Sequence, residues 1–206
     1  MSGTIDKPIE IEAAEPSLYE PESVRGWEHW NEDDYLAFDE NIPVEFSRGK
    51  AEVLPIPTML HQLILAYLHA KLFAFVSERD LGTVLFSAFR IRLRAGKYRE
   101  PDLVFMRIEH SNRMGEVYWE GADLVMEIVF ENREHDLITK RQEYAEAGVP
   151  EYWIVDPREG RITVLRLEVG SNVYAEHGIF ERGSIARSAL LDGFEVDVNE
   201  ALTTKR

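Results

Sequence analysis

The chain has 206 residues, 45% of them hydrophobic and 11% aromatic, enough apolar material for one domain with a sizeable core; this rules out disorder throughout. Its 38 acidic residues outnumber 23 basic ones, and the formal charge of −15 excludes a protein that coats nucleic acid through bulk charge, though not a local basic cleft. Cysteine is absent, which removes disulfides, thiolate metal sites and a cysteine nucleophile together.

Residues 1 to about 25 are rich in Glu, Pro and small polar residues, and are expected to form a flexible lead segment ahead of a single domain over 26–206. Met1 to Glu12 lacks the apolar core of a signal peptide, and no apolar run approaches the roughly 20 residues that span a bilayer. The composition is compatible with a reducing cytoplasm, so a cytoplasmic protein without a membrane partner is expected. Asn31, followed by Glu32, Asp33 and Asp34, predicts a capped first helix carrying Tyr35, Leu36 and Phe38. Val44 to Leu54 reads as a hairpin turning at Arg48-Gly49-Lys50 and stopped by Pro55 and Pro57. From Thr58 to about Arg79, the recurrence of Leu60, Leu63, Ile64, Tyr67, Leu68, Leu72, Phe75 and Val76 predicts the longest helix. Thr83 to Arg94 reads as one strand, in which Arg90, Arg92 and Arg94 share a face opposite Phe89, Ile91 and Leu93. Pro101 to Met106 and Ala122 to Phe130 look like central strands buried on both sides. A second helix is expected over His135 to Ala147, ended by Gly148, then a buried strand Glu151 to Val155 and further strands from Arg161 on. The order implies an α/β or α+β fold on a mixed β-sheet flanked by helices.

The chemistry is sought in carboxylates placed where burial disfavours them. Asp102 lies in Pro-Asp-Leu-Val-Phe-Met and Glu127 in Leu-Val-Met-Glu-Ile-Val-Phe. A buried carboxylate costs several kcal/mol unless paired or metal-bound. Converging on one cation, such hard oxygens select Mg²⁺ or Mn²⁺; the alternative is that they cap strand ends or pair with arginines such as Arg92 or Arg99. Lys140 and Tyr144 lie one helical turn apart and can face a common cleft, although a lone helix lysine is ordinarily solvated. Glu45 joins the metal shell through water or is an exposed strand residue, and His61 contacts substrate phosphate or is a polar helix position. There is no paired-histidine zinc spacing, no phosphate-binding glycine loop, no dinucleotide fingerprint and no Gly-x-Ser-x-Gly elbow.

The series Glu45-Phe46-Ser47-Arg48-Gly49-Lys50, His61, Pro101-Asp102, Glu127-Ile128-Val129, Asp136, Lys140, Tyr144 and above all Gly148 to Pro157 resembles the Uma-type family of "putative restriction endonucleases", in the PD-(D/E)XK nuclease superfamily. The likeness runs over about residues 30 to 200. It implies a restriction-endonuclease-like core in which Asp102 and Glu127 match the metal-binding acids, Glu45 the acid ahead of the core, and Lys140 a lysine displaced onto the following helix. The carbonyl of Ile128 is implied as a further metal oxygen. Two departures stand out: the usual superfamily lysine, two positions after the glutamate, is Val129, and Phe130-Glu131-Asn132-Arg133 replaces a small Ser-Pro turn. The activity implied is Mg²⁺- or Mn²⁺-dependent hydrolysis of DNA phosphodiesters by an activated water, leaving a 5′-phosphate and a 3′-hydroxyl. Arg92 and Arg99, with Arg90 and Arg94, are candidate phosphate contacts, unless they pair with the abundant acids. Cutting both strands suggests a homodimer, with Tyr174, Ile179 and Phe180 as interface or core. A competing reading is a catalytically weak nuclease-fold protein acting as a nucleic-acid-binding or assembly module, which the acidic charge favours; RNA is a third substrate class.

Overall fold

Residues 29–38, 42–129 and 135–203 are described in a computed structural model of the chain. The expected lead segment 1–25 and the Phe130 to Arg133 departure lie outside them. Asn31 caps helix α1 (Glu32–Ala37) through a capping box: Asp34 N–H donates to Asn31 Oδ1 and Asn31 N–H to Asp34 Oδ2, both at 3.0 Å. The hairpin forms as β1 (Val44–Ser47) and β2 (Lys50–Val53). Its two-residue turn holds Arg48 at φ 54° and Gly49 at φ 79°, the left-handed pair whose twist suits a tight hairpin. Thr58 caps α2 (Met59–Ser77), its hydroxyl accepting from His61 N–H at 3.3 Å.

The expected single strand from Thr83 to Arg94 is two: β3 (Gly82–Phe86) and β4 (Arg90–Arg94). Ser87, Ala88 and Phe89 separate them, the first two weak strand formers, and Ser87 N–H donates to Asp102 O at 2.9 Å, so the chain leaves one sheet there and enters another. Next come β5 (Lys97–Arg99), β6 (Leu103–Arg107), β7 (Tyr118–Glu120) and β8 (Leu124–Ile128). A π-helical turn (His135–Lys140) then runs into α3 (Arg141–Glu146), which ends as expected at Gly148, φ 76°. The remainder is β9 (Glu151–Asp156), β10 (Arg161–Leu167), β11 (Tyr174–Glu181), β12 (Ile185–Arg187), β13 (Glu195–Asp197) and α4 (Val198–Leu202).

A six-stranded sheet, β11-β10-β9-β8-β6-β3, forms the centre, and a five-stranded sheet, β2-β1-β5-β4-β7, stands beside it. Both are mixed: β8 runs parallel to β9 and β4 parallel to β7, whereas their other pairings are antiparallel. Alternate residues of β6 and β8 enter two different cores. Leu103, Phe105, Leu124 and Met126 pack with Leu68 and Leu72 of α2, while Val104, Met106 and Val125 pack with Tyr144 and Ala145 of α3. Tyr35, Val44, Phe46 and Tyr98 make a third core on the five-stranded sheet.

Helix α2 is rotated relative to the expectation. Its buried residues are His61, Ile64, Leu65, Leu68, Leu72 and Val76, and Leu60 and Leu63 face out. The sequence left this open because the helix is apolar on both sides. It is the described helix long and apolar enough to cross a membrane by length and composition; its inner face nevertheless lies in the main core. Of the C-terminal residues offered as interface, Tyr174 is core and donates its hydroxyl to Val149 O at 2.7 Å, Phe180 packs against the core, and Ile179 is exposed.

Candidate active site

The hairpin brings Glu45 to the seam between the two sheets. Val44 and Phe46 fill one face of β1, so Glu45 must point to the other, where it is fully buried. It is compensated there by three cations or potential cations. Arg99 Nη1 lies 3.1 Å from Oε2, His135 Nε2 3.5 Å from Oε2, and Lys140 Nζ 3.3 Å from Oε1. Burial pushes the Glu45 carboxyl up, but Lys140, Arg99 and His135 outweigh it and hold the group at about 2.

Lys140 ends the π-helical turn with its ammonium buried, and reaches Glu127 Oε1 at 3.0 Å as well as Glu45. The same Glu127 oxygen accepts the Tyr144 hydroxyl at 2.6 Å. Burial, then the nearby Glu127, raise Tyr144 well above the usual phenol range, so its proton stays in that bond. Lys140 and Tyr144, one helical turn apart, thus both converge on Glu127.

Asp102 enters through register. The β6–β8 pairing ends at Leu103↔Met126, so Asp102 sits just before β6, beside the end of β8. Asp102 Oδ2 accepts the Ile128 N–H at 2.7 Å, and Oδ1 lies 3.0 Å from Nε2 of His61 on α2. The Asp102 side chain keeps 15% exposure, so this end of the pair is open to solvent.

Sequence reasoning missed the residues that complete the cluster. Glu143 accepts from Arg99 Nε at 2.8 Å and pairs with Lys97. Three buried or nearly buried carboxylates (Glu45, Glu127, Glu143) thus face three cations (Lys97, Arg99, Lys140). The usable signal was Lys97 and Arg99 two apart on a short strand, which puts two cations on one face and demands acids opposite. Among the other arginines, Arg90 pairs with Glu100, Arg92 with Glu32 and Glu120, and Arg94 with Glu146. Of Asp136, only the backbone is described.

Glu100 is a further buried acid, beside the hairpin. Burial, against the opposing Arg90 and with the like charge of Glu45, raises it to about 7. Its native form therefore holds a proton that the unfolded chain releases above about pH 4.5, and stability falls as pH rises through 7. Glu100→Gln is expected to flatten the dependence of unfolding free energy on pH between 5 and 7, by an amount on the order of 3 kcal/mol over that window. Urea denaturation at a series of pH values measures it, and an unchanged slope would refute it.

A family profile described as "Uma2: Putative restriction endonuclease" matches residues 30–199. The chain belongs to the Uma2 family. Among curated proteins, none matches the sequence. A solved structure, "a putative nuclease belonging to DUF820 from Anabaena variabilis", is similar in fold: it shares 17% identity at a TM-score of 0.68, covering 82% of this chain and 96% of that one. The mixed sheets and flanking helices of this Uma2 protein therefore form the nuclease fold that the resemblance implied.

Whether the residues present suit a divalent ion is decided by the donor set. Asp102, just before β6, and Glu127 of the neighbouring β8 offer carboxylate oxygens, those of Asp102 partly solvent-accessible. Hard oxygens of this kind fit Mg²⁺ or Mn²⁺, which keep several waters and accept phosphate oxygens. Among the described residues no three His, Asp or Glu side chains are grouped as a ready-made metal site. Glu45 is separated from Glu127 by the Lys140 ammonium. Asp102 and Glu127 are the two carboxylates that would hold such an ion, with water and substrate completing its shell.

Proposed function

We propose that this Uma2 protein is a metal-dependent DNA endonuclease whose site is Asp102 and Glu127 together with Lys140. The observation that carries the reading is Lys140: an ammonium buried between Glu45 and Glu127 and aimed at one of the two candidate metal acids. A divalent ion held by Asp102 and Glu127 would supply an acidified water and neutralise charge gathering on the scissile phosphate. The protein's own groups do the rest. Tyr144 fixes the Glu127 rotamer through a short hydrogen bond. His61, through Nε2, and the Ile128 N–H orient the Asp102 carboxylate. Lys140 sets the position of Glu127 and keeps positive charge beside it, which would offset charge on a bound phosphate. Arg99 and Glu45 are positioning residues that hold Lys140. This Lys140 stands in for the lysine that Val129 replaces, and Arg92 enters only as a DNA phosphate contact outside the cluster.

Incubating the purified protein with supercoiled plasmid should give nicked and linear products with Mg²⁺ or Mn²⁺ and none with EDTA. Lys140→Met should lower the rate on the order of 100-fold while leaving Mn²⁺ binding by calorimetry in place. Cutting at the wild-type rate by that variant would remove Lys140 from the site. The second reading, a nuclease-fold binding or assembly module, is favoured by the missing third ligand in the described residues. It predicts DNA binding without cleavage under every metal condition.

A further inference from the structure

Helix α2 buries one side in the main core, yet its opposite side is also apolar. Met59, Leu63, Ala66, Ala70, Phe73 and Ser77 are all exposed and recur at steps of four and three, which places them on a single stripe directly away from the core. Met59 is 65% exposed, Leu63 39% and Phe73 51%. The patch continues beyond the helix: Ile56, just ahead of it, is 89% exposed, and Phe86 of β3, 52% exposed, is joined to Phe73 through ring contacts with His69 at 4.7 and 5.6 Å. Together these side chains leave roughly 600 Å² uncovered, at the upper end for one patch on a monomer. That is most of the ~800 Å² per partner that a standard interface buries.

The order of residues along the stripe identifies what fits it. Read in opposite directions about the level of Leu68, the stripe is self-complementary: Ala66 meets Ala70, Leu63 meets Phe73, and Met59 meets Ser77. Small residues face small ones at the centre, where two helices approach most closely, and large side chains interlock toward the ends. Parallel pairing would instead set Phe73 on Phe73. Charge agrees: Met59–Ser77 contains no acidic residue in a chain with 38, so two copies can meet here without the repulsion their net charge imposes elsewhere. Antiparallel pairing also sets Glu78, at the helix C-terminus, beside the positive N-terminal end of the partner's helix.

We propose that the exposed face of α2 is a homodimer interface, formed by antiparallel pairing with α2 of a second copy about a two-fold axis at the level of Leu68. The pairing does not rest on DNA cleavage. If the chain does cut DNA, it places two His61–Asp102 pairs on one particle, about 21 Å apart along the helix axes. One particle then carries a site for each strand of a duplex.

Sedimentation equilibrium at micromolar concentration tests the interface. The wild type should run at twice 23.8 kDa, and Leu63→Glu and Phe73→Glu should each shift it to 23.8 kDa with an unchanged circular dichroism spectrum. Both side chains point away from the core, so the fold should survive. The native chain has no cysteine, so mild oxidation of the double variant Ala66→Cys, Ala70→Cys should yield a covalent dimer on a denaturing gel. A monomeric wild type, or a dimer that neither glutamate disturbs, overturns the proposal. A dimer that fails to cross-link overturns the antiparallel register. Co-sedimentation of a monomeric wild type with phosphatidylcholine vesicles, lost in Leu63→Glu, would assign the face to a lipid surface instead.

Discussion

Asp102→Asn and Glu127→Gln are each expected to reduce metal-dependent plasmid cleavage on the order of 1,000-fold or more, with no loss of folding stability. The two effects separate because of what each side chain holds. Asparagine at position 102 keeps an oxygen for the Ile128 N–H, and glutamine at position 127 keeps one for Tyr144 and Lys140, so the neutral variants preserve the hydrogen bonds. What they lose is negative charge, which is what a divalent ion requires. Mn²⁺ titration by calorimetry should show binding lost in both, and thermal unfolding in EDTA should show Tm unchanged or raised. Variants that cleave as the wild type does would place the chemistry elsewhere. Variants that unfold would mark the pair as structural.

Arg99→Met should be the most destabilising single change in the cluster, at about 3–5 kcal/mol. The guanidinium is buried and bridges Glu45 and Glu143, and its removal leaves both carboxylates short of a counter-charge in a place water does not reach. The pH response has a definite sign. The Glu45 carboxyl is held at about 2 against an ordinary 4.5, so its contribution to stability is complete above pH 4.5 and is lost as pH falls toward 2. Arg99 is one of the cations that keep it low, so the variant should begin acid unfolding at a higher pH than the wild type. Guanidinium denaturation at pH 7, together with a circular dichroism titration from pH 6 to 2, measures both. A cost under about 1 kcal/mol would mean that Lys140 and His135 suffice to hold Glu45.

Local patterns carried the fold a long way. Asn31 before three acids, Arg48-Gly49 between two short apolar runs, and Gly148 after a helical period each encode a local backbone event, and each occurs where the pattern placed it. The strand Thr83 to Arg94 failed because alternation does not say which sheet a residue joins, and the change of partner at Ser87 is a tertiary event. Helix α2 was rotated for a related reason: with apolar residues all round, periodicity fixes that a helix forms but not which side is buried. At the site, the carboxylates were visible because burial disfavours them, and Tyr144 because of its spacing from Lys140. The partners of Glu45 were not visible, since Arg99, His135 and Lys140 lie 54 to 95 positions away and no short-range pattern links them.

The Lys140 ammonium has a mechanical consequence as well as a chemical one. It is shared between Glu45, which belongs to the hairpin sheet, and Glu127, which belongs to the central sheet. Arg99 and Lys97 add two more ties from the smaller sheet to Glu143 on α3. For the hairpin sheet to swing open alone, these charges would have to part before water could reach them, a cost comparable with unfolding the domain. The two sheets are therefore locked into one cooperative unit by the residues proposed for catalysis. This buried cluster cannot loosen without the molecule coming apart along its own seam.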